Sequence, residues 1–67
     1  MKIDIREHIR NNFKNSDENE IENSIESSIK SKDEVVLPGL GVLFEVLWEN
    51  SSEKIKDDIL YTLHNNI

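Results

Sequence analysis

Leu37-Pro38-Gly39-Leu40-Gly41-Val42-Leu43-Phe44-Glu45-Val46-Leu47-Trp48 is the densest apolar run in the chain, and it contains both glycines, the single proline and the single tryptophan. What this run becomes decides the fold. As a helix it is apolar nearly all round from Leu40 onward. As a strand it places Val42, Phe44, Val46 and Trp48 on one face and Leu43, Glu45, Leu47 and Glu49 on the other. Periodicity alone does not separate the two. The helical reading gives an all-α single domain, residues 1–67, of about four short helices, with Leu37–Trp48 as a central buried helix after a Pro-Gly lead-in. The alternative is an α+β domain: two helices, a hairpin turning at Gly39 and Gly41, and a C-terminal helix.

The flanks carry helix signals. Ile5, Ile9 and Phe13 recur in steps of four and form one apolar stripe, which stops near Asn15 where Asn-Ser-Asp breaks the pattern. Asp17 with Glu20 forms a capping box, with Ser16 as a competing cap, and opens a second helix. Its seam is Ile21, Ile25 and Ile29; Glu22, Glu26 and Ser27 take the solvent side, and Lys30 to Lys32 suit its C-terminal dipole. Beyond the central run, Asn50 with Glu53 forms a further capping box, with Ser51 competing. The last helix then presents Ile55, Ile59, Leu60, Leu63 and Ile67 on one side.

Composition limits the function classes. A chain of 67 residues buries only roughly 60% of its unfolded surface, so one core is marginal and self-association is a natural supplement. Cysteine is absent, which removes disulfides and thiolate metal sites. No stretch approaches the roughly 18 apolar residues of a membrane span, and Met1-Lys2-Ile3-Asp4 lacks the apolar core of a signal peptide. The expectation is a soluble, cytoplasmic protein with no membrane partner.

Fourteen acidic residues against eight basic ones give a net charge of -6, which repels phosphate backbones. The imbalance is uneven. Residues 1–16 carry Lys2, Arg6, Arg10 and Lys14 against Asp4 and Glu7, whereas residues 17–34 carry seven acids against Lys30 and Lys32. The two segments are either attracted to one another or are simply solvated helix faces, the reading that the weakness of exposed ion pairs favours.

The run LPGLGVLFEVLW, Leu37 to Trp48, closely resembles the signature of the minor small acid-soluble spore proteins of type I. The isoleucine helix before it, the acidic link Lys32-Asp33-Glu34 and the Asn-Ser-Ser-Glu helix start after it extend the resemblance over most of the chain. The departures are at the ends: residues 1–16 are unusually rich in Lys, Arg and Asn, and the tail Leu63-His64-Asn65-Asn66-Ile67 is atypical. The resemblance implies synthesis in the forespore compartment, residence in the spore core and no enzymatic activity. It brings no catalytic residues, and neither the sequence pattern nor the cleavage motif of the DNA-saturating alpha/beta-type spore proteins is present. Two helices followed by Asp33 to Val46 are also similar to the opening of the histone-like DNA-bending proteins, in which a Gly-x-Gly turn joins two strands. The basic arms of those proteins are missing here.

Candidate sites follow from these readings. Gly39 and Gly41 lack the Lys and Ser/Thr spacing of a phosphate loop and read as packing or turn glycines. His8 and His64 sit at opposite ends without metal-ligand or catalytic spacing, so no catalytic, metal or cofactor site and no small-molecule substrate is expected. Phe44, Trp48 and Tyr61 are flanked by Glu45, Glu49 and Asp57, which disfavours stacking on nucleic-acid bases. Leu40, Val42, Leu43, Phe44, Leu47 and Trp48 form the expected interface of a homodimer, because an element apolar nearly all round cannot be covered by three thin seams. The alternative is a nucleoid-associated accessory gripping DNA weakly through Arg6, Arg10 and Lys14, which recur in steps of four.

Overall fold

The computed structural model describes residues 4–67, so Lys2 and the rest of the Met1-Lys2-Ile3 start lie outside the described residues. Four helices follow one another: α1 (Ile5–Phe13), α2 (Glu18–Ser31), α3 (Leu37–Glu49) and α4 (Glu53–Asn66), with one turn of 3-10 helix, Glu34–Val36, leading into α3. Among the described residues there is no strand. The central run is a helix, and the hairpin alternative falls. Neither glycine adopts positive φ, so the tight turn a Gly-x-Gly hairpin requires is not made. Pro38 sits in the first turn of α3, where its missing N–H leaves no hydrogen bond unmade.

Short side chains mark the boundaries. Asp4 caps α1, its carboxylate accepting from the Glu7 N–H at 3.2 Å, and Asp17 caps α2 by accepting from the Glu20 N–H at 2.8 Å. Asp17 thus takes the role for which Ser16 competed. α2 ends on Lys32, held in the left-handed region at φ 53°. Asp33 then accepts from the Val35 N–H at 3.0 Å and starts the 3-10 turn that feeds α3.

One boundary differs from the sequence expectation. Asn50 does not open α4; it closes α3, its side-chain amide donating to the Val46 carbonyl at 2.8 Å while the Ser51 hydroxyl donates to the Leu47 carbonyl. The last carbonyls of α3 are free acceptors, and they draw both side chains backward. Capping of α4 falls to Ser52, whose hydroxyl accepts from the Ile55 N–H at 3.3 Å.

The packing is open. Val42, 6% exposed, is the only buried side chain among the described residues. The chain therefore has a central helix, but not a buried one: α3 is covered mainly along one side. The radius of gyration, 13.3 Å, exceeds the ~11 Å of a compact chain of this length. The accessible surface is 6107 Å², where a folded chain of 7.8 kDa is expected to show about 4,400 Å². Three amphipathic stripes around a helix apolar nearly all round leave much of that helix in water.

Candidate interaction surface

The two faces of α3 have different surroundings. On one, Glu45 and Glu49, one turn apart, meet Arg6 and Arg10, one turn apart on α1. Arg6 Nε donates to Glu45 Oε2 at 2.9 Å and to Oε1 at 3.2 Å, and Arg6 Nη2 donates to Oε1 at 3.1 Å. Arg10 lies 3.8 Å from Glu49. The pairing runs in register, so α1 and α3 lie side by side in the same direction, with Val42 buried on that side of α3. The Arg6 fork holds the Glu45 carboxyl below its ordinary range through its hydrogen bonds and charge, against a smaller opposing effect of desolvation. The same hydrogen bonds, with the nearby carboxylates, hold the Arg6 guanidinium still more firmly protonated.

The sequence expectation placed Arg6, Arg10 and Lys14 on one basic strip. The structure brings two of them onto carboxylates of α3 rather than the acids of α2, and Lys14, just beyond α1, has no carboxylate partner among the described residues. The signal for these pairs was available in the matching four-residue spacing of Arg6/Arg10 and Glu45/Glu49.

On the opposite face, Phe44 and Leu47 are 42% and 46% exposed and Leu37 is 58% exposed, while Leu40, Leu43 and Trp48 are half-buried. Of the expected interface residues, Val42 alone is buried in the protomer, and Leu43 lines the cleft beside it with Ile9, Phe13 and Ile21. Leu37 was absent from that expected set yet shares the exposed face. Phe44 and Trp48 stack with ring centroids 6.1 Å apart, and the Lys56 ammonium from α4 lies 5.2 Å from the Trp48 ring, a cation–π contact that ties α4 to α3.

Two shallow apolar grooves meet at Phe44. One, of about 440 Å³, runs between α2 and α3 and is lined by Ile21, Ile25, Leu40, Leu43, Phe44 and Leu47 with Val46. The other, of about 370 Å³, lies between α3 and α4 and is lined by Phe44, Trp48, Leu60 and Leu63 with Glu45 and Glu49. Neither converges polar groups on a reacting atom. Among the described residues no group of three His, Cys, Asp or Glu side chains is placed to hold a metal ion, and no helix is long and apolar enough to cross a membrane.

Fold and surface together define a small all-α protein whose central helix is tied to its own chain by ion pairs on one side and only partly covered on the other. The chain belongs to the family described as small, acid-soluble spore protein I, whose family profile it matches over residues 3–67. It is 51% identical over 37 residues to small, acid-soluble spore protein I of Bacillus subtilis strain 168, an alignment covering 55% of this chain and 52% of the relative. The same identity and length hold for the protein of that name from Bacillus cytotoxicus, with 55% of this chain and 53% of the relative covered. The Bacillus cereus strain AH187 protein of the same name also matches, with 54% of its length covered. The match thus spans about half the length of these curated relatives. No solved structure matches the chain.

Proposed function

We propose that this chain is a non-enzymatic component of the spore, made in the forespore and resident in the spore core, with a structural or storage role exercised by self-association through the exposed face of the Leu37–Trp48 element. The observation that carries the self-association is area. A surface of 6107 Å² exceeds the roughly 4,400 Å² of a folded chain this size by about 1,700 Å², and a standard protein interface covers about 800 Å² per partner. The spore setting rests on the family to which the chain belongs.

Acid solubility has a simple physical origin in this reading. Protonating the fourteen carboxylates leaves eight Lys and Arg with two His, and the chain becomes strongly cationic. The nucleoid reading, with Arg6, Arg10 and Lys14 on DNA, requires phosphates to displace Glu45 and Glu49 from the two arginines within a chain of net charge -6.

Sedimentation at low salt, alone and with a short fluorescent duplex, tests both. A discrete dimer that leaves the duplex behind is the expected result. A monomer at high micromolar concentration overturns self-association. Co-sedimentation that weakens with salt and vanishes on Arg6→Glu with Arg10→Glu puts the nucleoid reading in its place.

A further inference from the structure

We propose that α3 pairs with α3 of a second copy in an antiparallel seam built from Leu37, Leu40, Phe44 and Leu47, so that Leu40 of each copy packs against Phe44 of the other and Leu37 against Leu47. This rests on the self-association reading and names the element, register and direction that perform it.

The four residues are spaced by three, four and three positions, the a/d pattern of a two-stranded helical seam. They occupy the less covered side of α3, flanked by Ile21 and Ile25 of α2, and three of the four are more than two-fifths exposed. The spacing reads the same in both directions. An antiparallel copy therefore meets the seam with the same steps, as a two-fold interface demands. Phe44 stands where the two apolar grooves meet, and Leu40 lines the larger of them, so a two-fold contact sets each Phe44 into the groove beside the other copy's Leu40.

Electrostatics permits this contact. The only charged residues of α3 are Glu45 and Glu49; both also line the groove between Phe44 and α4, but each is paired with an arginine of α1, so closing the seam buries no unpaired charge. The immediate flanks on α3 are Gly41, Leu43 and Trp48, and the Lys56 ammonium at this edge already lies against the Trp48 ring. Antiparallel alignment also opposes the two helix dipoles and avoids placing Phe44 on its own copy across the axis. Each copy carries net charge -6, so added salt strengthens the pairing by screening the repulsion between copies, the opposite of its effect on DNA binding.

The chain has no cysteine, so single Leu40→Cys and Phe44→Cys variants are oxidised separately and as an equimolar mixture. The expected result is a mixed 40–44 disulfide well above the share that random pairing gives. A second pair, Leu37→Cys with Leu47→Cys, repeats the test with Phe44 intact, and helicity by circular dichroism confirms that each variant folds. Self-linked products alone, with a dimeric parent, mean a parallel seam and overturn this proposal while self-association stands. A dimeric parent that cross-links in neither pair places the interface elsewhere, with the same consequence. A monomeric parent without cross-links overturns both.

Discussion

The two sides of α3 differ in what covers them although they share one helix and one composition bias. The Val42 side has a partner within the chain: α1 lies along it, and Arg6 and Arg10 meet the only two acids of the helix. The Leu37–Leu40–Phe44–Leu47 side is only partly covered, by Ile21 and Ile25 of α2 and by Leu60 and Leu63 of α4. The difference shows how a chain of 67 residues divides its apolar surface. One stripe suffices to fix the protomer, and the remainder is available for association. The ion pairs, both solvent-exposed, contribute little to stability; their larger consequence is to leave no unpaired charge on α3.

The comparison breaks most sharply at Phe44. Phe44→Glu places a carboxylate in the seam and is expected to weaken association at least ~100-fold, by analogy with the loss of a central aromatic anchor. Circular dichroism should show the helices retained, because Phe44 is 42% exposed in the protomer. Collapse of the helical signal instead would mean that this face supports the protomer after all.

Val42→Ala tests the other side. Removing two carbons from the one side chain buried among the described residues should cost roughly 1–2.5 kcal/mol in chemical denaturation. Leu37→Ala, at a 58% exposed position, should leave a dilute sample unchanged while weakening association. Equal effects of the two variants on the dilute protein would erase the distinction between the faces.

A smaller change is expected where α2 ends. Lys32 adopts φ 53°, a region that disfavours side chains, so Lys32→Gly should stabilise the protomer by about 0.5–1 kcal/mol without altering association.

The smallest effect is that of pH. The Glu45 carboxyl titrates below its ordinary value near 4.5 in the folded chain, so its contribution is present above the unfolded value and lost as pH falls through the lower folded one. Glu45→Gln should lower stability slightly near neutrality and leave it unchanged at the acid end, so that the acid-side step disappears, as read by thermal melts across an acidic series. An unchanged acid profile would show that the Arg6 fork does not hold in solution.

Much of the fold was legible in the sequence because its signals were local. The isoleucine and phenylalanine stripes predicted α1, α2 and α4, and Asp17 predicted the cap that α2 uses. The central run was ambiguous because residues 37–48 satisfy helical and strand patterns alike; φ at the two glycines decides, and that is set by the packing of α3 against α1. Asn50 misled because its side chain serves the carbonyls behind it as readily as the amides ahead, and nothing in the local sequence says which end is hungrier. At the surface, Phe44, Leu47 and Trp48 were readable as apolar residues in excess of the available cover. Val42 was not separable from them, since telling the inner from the outer side of an all-apolar helix requires knowing where Arg6 and Arg10 land.

Trp48 gives the most direct test of the central claim, because it is the only tryptophan in the chain and flanks the open face. Its emission is followed through a dilution series from high to low micromolar concentration, beside Leu37→Glu, which leaves the Phe44–Trp48 stack intact, as the dissociated reference. Covering of this face by a second copy predicts emission that shifts to longer wavelength on dilution and converges on the spectrum of the variant. A spectrum that coincides with the variant's at every concentration would contradict it.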